Sequence, residues 1–146
     1  MLKKFFSKCV SLNILILLSA THTSAGSATG SDDLSPCPQS PNCVSSQSTD
    51  EARFIKPLRY AGSLADARQK LINILENSKR ARLVKLETDY IHAEFTSLIF
   101  QFVDDVEFYF PSDKTIIHVK SASRKGYYDF GANRRRVERL RSAFEE

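Results

Sequence analysis

Apolar and polar residues recur with two different periods along this chain of 146 residues. From Ser63 to Asn77, Leu64, Ala67, Leu71, Ile74 and Leu75 fall at the spacings of one helical stripe. Ser63 with Asp66 makes an acidic capping box at its start. From Arg82 the period drops to two. Arg82–Glu87 and Tyr90–Ser97, separated by Thr88-Asp89, predict a hairpin. After Ser97 the apolar phase slips to Leu98, Phe100 and Phe102, which predicts a bulge or a turn. Asp104–Phe110 reads as a third strand with Val106, Phe108 and Phe110 on one face. Pro111–Lys114 is a turn and Thr115–Ser121 a fourth strand. Val137, Leu140 and Phe144 mark a last helix over Arg134–Glu145. Upstream, Phe54-Ile55 and Leu58–Tyr60 suit weak pairing at an edge, since Pro57 excludes a central strand. The prolines of Pro36–Ser46 predict irregular chain. A helix, four strands and a helix with short connections predict an α+β domain. It has two layers: an antiparallel four-stranded meander with both helices packed on one face.

The N-terminus follows a different pattern. Lys3, Lys4 and Lys8 precede the apolar run Val10–Leu18, and small polar residues follow. This is the layout of a secretory signal peptide over residues 1–25, with Thr23-Ser24-Ala25 as the first choice of cleavage site. The run is far short of the ~20 residues that span a bilayer. Cys9 precedes it and so is not the acylated cysteine of a lipoprotein. A flexible leader over 26–35 and one domain over 36–146 complete the expected organisation, in a periplasmic or secreted protein.

Processing changes the charge. The full chain has 21 Lys and Arg against 17 Asp and Glu; losing three lysines and no acid leaves 18 against 17. A nucleic-acid binder keeps a strongly basic domain, so that class is set aside. Two cysteines remain, Cys37 and Cys43. An even pair in an exported chain predicts one disulfide, closing a small proline-bent knob.

Polar chemistry concentrates in Ser121–Arg136, SASRKGYYDFGANRRR. Asn133 stands where a helix N-cap is expected, and Arg124, Arg134 and Arg136 could surround an anion at that helix start. In the other reading, Asp129 caps or pairs with an arginine and locks the loop to the sheet. Asp104 is an acid in phase with the core-facing side of its strand, while Asp105 and Glu107 face the other way. A buried carboxylate needs a partner, and Arg124 or Arg134 is the expected one.

With these segments in view, the chain resembles the domain of unknown function 1499 family over about residues 34–144. The resemblance rests on three blocks. They are Leu34–Pro38 with Ser40–Ser46, then Phe102–Glu107, then Ser121–Arg124 with Gly126, Asp129, Gly131, Asn133 and Arg134. It implies export or an envelope location in bacteria and no accepted enzymatic activity.

No catalytic set is complete. The acids of the third strand diverge, so no metal site is expected, and no cofactor. His92 and His118 fall on the face away from the core, and no nucleophile elbow is present. Arg135 and Arg139 point away from the last helix's apolar stripe, which allows at most peripheral contact with anionic lipid. The expectation is a non-enzymatic binding or scaffold domain for an anionic ligand or an envelope protein, through Arg124, Asp129, Asn133, Arg134 and Asp104. The alternative is a hydrolase using a Ser and a His, with Ser123 and His118 the candidates.

Overall fold

A computed structural model describes residues 34–146. The expected signal peptide and most of the expected leader lie outside the described residues. The chain runs β1 (Cys43–Ser45), β2 (Leu58–Arg59), α1 (Leu64–Glu76), β3 (Ala81–Leu86), β4 (Tyr90–Thr96), β5 (Val103–Tyr109), β6 (Ile116–Ser123) and α2 (Ala132–Glu145). Strands β3 to β6 form the expected antiparallel meander.

Two short strands extend the sheet to six, where four were expected. β1 pairs antiparallel with β6, Cys43 opposite Ala122, and β2 pairs with β6 at Leu58 and Ile117. β1 arises inside the stretch expected to be irregular. No proline falls between Pro41 and Pro57, so the residues of β1 from Cys43 to Ser45 all keep a backbone N–H and can pair at the edge of β6. Three residues are too few for alternation to announce a strand.

Alternation sends Ile91 and Ala93 of β4, Val106 and Phe108 of β5, and Ile117 and Val119 of β6 to one face, where all are fully buried. They share a core with Leu71 and Leu75 of α1 and with Val137, Leu140 and Phe144 of α2. Each large apolar side chain so buried contributes about 1.5–3 kcal/mol. Ser63 caps α1, its Oγ accepting from the N–H of Asp66 at 3.1 Å. Ala67, Leu71 and Leu75 are buried as expected, but Ile72 rather than Ile74 completes the stripe. Ile74 stands at the rim of an open pocket. The slip after Ser97 is a turn, and the register irregularity falls in β3 instead, between Leu83 and Lys85.

Cys37 and Cys43 form the expected disulfide, with Cα atoms 5.7 Å apart. Leu34 and Ser35, the end of the expected leader, are both held to the domain. Leu34 is buried, and Ser35 Oγ accepts from Lys120 Nζ at 2.6 Å. The antiparallel order brings four segments to one end of the sheet: the disulfide knob, the turn at 77–80, the loop at 97–102 and the loop at 124–131.

Candidate functional site

Asp104 faces inward on β5, in phase with Val106 and Phe108, and is 5% exposed. Its partner is Arg136, whose Nη2 donates to Asp104 Oδ2. The expectation of Arg124 or Arg134 is therefore corrected. Arg124 follows the inward-facing Ser123, and strand alternation turns it to the opposite face. Arg134 follows the buried Asn133 by one residue, about 100° around α2. It donates to Ala52 O at 2.8 Å and Phe54 O at 2.9 Å. Arg136 lies three residues beyond Asn133 and shares its inward face.

Around that pair the polar groups close on one another. Arg136 Nη1 donates to Ser121 Oγ at 3.0 Å and Asn133 Oδ1 at 2.7 Å. Ser121 Oγ donates to the same Oδ1 at 2.6 Å. Asn133 Nδ2 donates to Asn42 O, Ser123 Oγ and Asp129 Oδ2, each at 2.9 Å. The Arg136 guanidinium lies over the Phe95 ring, 5.1 Å from its centre. Among the described residues no buried side-chain polar atom lacks a partner. This is a lock of β1, β5, β6 and α2.

The start of α2 also differs from expectation. Its N-cap is Gly131, at φ 76°, a left-handed conformation that suits glycine, and it has no side chain to cap with. Asp129 does the capping, accepting from the N–H groups of Gly131 at 2.9 Å and Asn133 at 2.8 Å. Asn133 sits in the first turn, fully buried, rather than at the cap. The anion at this helix start is thus the chain's own carboxylate.

On the outer face of the sheet Arg124 donates through Nε and Nη2 to the two oxygens of Asp105, both at 2.8 Å, and also to Glu94. His92 Nε2 meets Asp105 Oδ1 at 2.7 Å. The hydrogen bond from Arg124 holds the Glu94 carboxyl below its ordinary range. Burial pushes Asp105 up, but the bonds from Arg124 and His92 outweigh it and leave it lowered. Burial raises the Tyr90 hydroxyl to about 12, helped by Glu107 and Asp105. The five expected site residues therefore divide. Asp104, Asn133 and Asp129 join in the lock, Arg124 stands on the opposite face, and Arg134 secures the 52–54 segment.

An open pocket of about 500 Å³ lies beside the lock, between the C-terminal end of α1, the end of β4 and α2. Its charged lining is Lys79, Arg80, Arg136 and Arg139, with no acid. Ile74, Phe95, Leu140 and Ala143 supply an apolar wall. Arg136 is held in place by Asp104, whereas Lys79, Arg80 and Arg139 are exposed. This pocket was not read from the sequence. The available signal was that Arg136 precedes Leu140 and Phe144 at four-residue steps, in phase with the apolar stripe.

The remaining chemistry is sparse. Ser123 and His118 lie five positions apart on β6, so they face opposite sides and form no pair. The serine near His118 is instead Ser46, whose Oγ lies 3.1 Å from His118 Nδ1 and accepts from Val119 N at 2.9 Å. Among the described residues no three His, Cys, Asp or Glu side chains gather as a metal site. None of the helices among them is long and apolar enough to cross a membrane.

None of the curated proteins matches the chain. A family model does, over residues 33–144, and so covers nearly all of the described domain. The chain belongs to the family of proteins of unknown function DUF1499.

Proposed function

We propose that this is an exported, non-enzymatic binding domain that holds an amphiphilic anion in the pocket between α1, β4 and α2. The observation that carries the reading is the pocket's lining: three exposed cationic side chains, Lys79, Arg80 and Arg139, beside the Asp104-paired Arg136, with no acid in the lining and one apolar wall. Arg136 is fixed before any ligand arrives, because Asp104, Ser121 and Asn133 hold it. A donor already immobilised loses little rotamer freedom on binding. Arg80, Arg139 and Lys79 then supply the charge that meets a carboxylate or phosphate. Export is supported by the charged, apolar and small-residue succession at the N-terminus and by the disulfide.

Thermal melting with octyl phosphate and with inorganic phosphate tests the reading. Octyl phosphate raises the Tm more than inorganic phosphate does. The rise disappears in the Arg80→Ala/Arg139→Ala double variant, whose own Tm stays near that of the parent, because both side chains are exposed and the bond lost, from Arg80 Nε to Thr96 O at 3.2 Å, is itself exposed. An undiminished rise in that variant, or no rise with either probe, removes the pocket from consideration.

A second reading rests on the Ser46–His118 contact, a serine hydroxyl within reach of an imidazole nitrogen. It is a hydrolase at the other end of the sheet, and esterase, phosphatase and amidase substrates test it. Turnover lost on Ser46→Ala with the fold intact supports it.

A further inference from the structure

Large apolar side chains are exposed on this domain in a strongly uneven way. Of the ten so exposed among the described residues, seven lie on two loops at one end of the sheet. Leu98, Ile99, Phe100 and Phe102 stand on the loop between β4 and β5, and Ile99 is 78% exposed. Tyr127, Tyr128 and Phe130 stand on the loop between β6 and α2, and Phe130 is 79% exposed. The roots of the two loops are joined, since Arg124 N donates to Val103 O at 3.1 Å. Neither loop is a loose tail. Phe100 stacks on Phe102 with ring centres 5.5 Å apart, and Tyr128 meets Phe130 edge-on at 5.3 Å.

Backbone strain collects in the same place. Among the described residues the non-glycine positions with positive φ are Arg80, Gln101 and Phe130, in three of the four segments at this end. For a bulky residue such as Phe130 that conformation is unfavourable, and tertiary structure has to impose it. It holds an aromatic ring out in solvent, where it gains nothing from the core.

The charge around these loops has one sign. The segments 77–80, 97–102 and 124–131 contain Lys79, Arg80 and Lys125, besides Arg124, which Asp105 and Glu94 hold on the outer face of the sheet. Their one acid, Asp129, is engaged at the start of α2. The turns at the opposite end, 87–89 and 111–115, carry none of the exposed apolar side chains and hold three acids, Glu87, Asp89 and Asp113, against one cation, Lys114. Apolar tips within a ring of cations match the layering of an anionic bilayer, acyl chains beneath and phosphates at the level of the lysines. A water-filled groove or a nucleic acid offers such tips no apolar phase. A protein partner would need its own apolar pocket ringed by acids.

We infer that this end of the domain docks on an anionic phospholipid surface, with the 97–102 and 124–131 loops entering the interface and Lys79, Arg80 and Lys125 resting on the headgroups. The inference does not depend on the α1–β4–α2 pocket binding a ligand.

The chain contains no tryptophan, so Phe100→Trp places a single indole at the tip of the first loop. The test compares the protein with its own variants purified in the same way, so any contribution from outside the described residues is common to both. Vesicles of equal parts phosphatidylglycerol and phosphatidylethanolamine shift the indole emission to the blue, and brominated acyl chains quench it. Phosphatidylcholine vesicles do so far less, and added salt weakens the response. In flotation with the anionic vesicles, Ile99→Ser/Phe100→Ser lowers partitioning about tenfold or more, since two large apolar side chains no longer enter the interface. Val84→Ser, an exposed apolar residue on β3 away from this end, leaves partitioning unchanged. Circular dichroism of each variant confirms the fold. Two results overturn the assignment: an emission unmoved by anionic vesicles, or flotation undiminished in the double serine variant. Crosslinking from position 100 to one envelope protein, without any vesicle response, also overturns it and makes this end a protein-docking face.

Discussion

Replacing Arg136 with methionine removes the guanidinium that sits between Asp104, Ser121 and Asn133. Methionine keeps most of the stem that packs beside Phe95. What is left is a carboxylate whose side chain is 8% exposed and whose charged partner is gone. Breaking a buried pair by removing one member costs about 3–5 kcal/mol. The Arg136 side chain retains 10% exposure, which places the cost near the lower end. For a domain of this size that is a Tm lower by about 12–20 °C. Against a total stability of about 5–15 kcal/mol it leaves a folded but weakened protein. Asp104→Leu/Arg136→Met removes both charges together and returns most of the loss, because two buried ions are replaced by apolar groups of similar size. Urea unfolding of the parent, both single variants and the double variant closes the cycle. A loss below about 1 kcal/mol for Arg136→Met, the scale of a surface pair, would falsify the lock. Strictly additive single variants would do the same damage to it.

Other consequences follow from the same contacts. Asp129→Ala frees the N–H groups of Gly131 and Asn133 and costs about 1–2 kcal/mol in urea unfolding; an unchanged midpoint contradicts the capping role. Reducing the Cys37–Cys43 bridge lowers stability by about 2 kcal/mol without unfolding the domain, because its loop is short; the check is melting with and without reductant. Glu94 and Asp105 both have lowered folded-state pKa values, Glu94 through Arg124, Asp105 through Arg124 and His92 against its burial. Their stabilisation is complete above the ordinary carboxylate range and is lost as pH falls through the depressed values, from about pH 4.5 downward. Arg124→Ala therefore flattens the stability profile in that acid window and leaves its shape near neutrality alone. A variant profile parallel to the parent's throughout means the outer-face cluster does not shape acid stability.

Most of the architecture was legible because periodicity reports burial. Leu71 and Leu75 on α1, and Ile91, Val106, Phe108, Ile117 and Val119 on the strands, declare their face by spacing alone. Asp104 was legible for the same reason: an acid in phase with the core has to be buried. Its partner was harder. Arg136 shares the inward phase of Leu140, but a cation on a helix is ordinarily solvated, and nothing local says that Asp104 awaits it across 32 positions. The N-cap was misplaced because Gly131 caps with backbone geometry, while the carboxylate that serves α2 sits outside the helix at Asp129. β1 is too short for a period, and the hydrogen bond from Lys120 to Ser35 spans 85 positions. The basic pocket needs three elements from different parts of the chain, and no single window of sequence contains it.

The most direct measurement on the binding reading is a 1H–15N correlation titration with octyl phosphate. The account predicts saturable shifts at Ser78–Arg80, Thr96–Ser97 and the α2 segment from Arg136 to Arg139, with Asp129 and Asn133 little changed. Shifts confined to the 124–133 segment, or none that saturate, would contradict it.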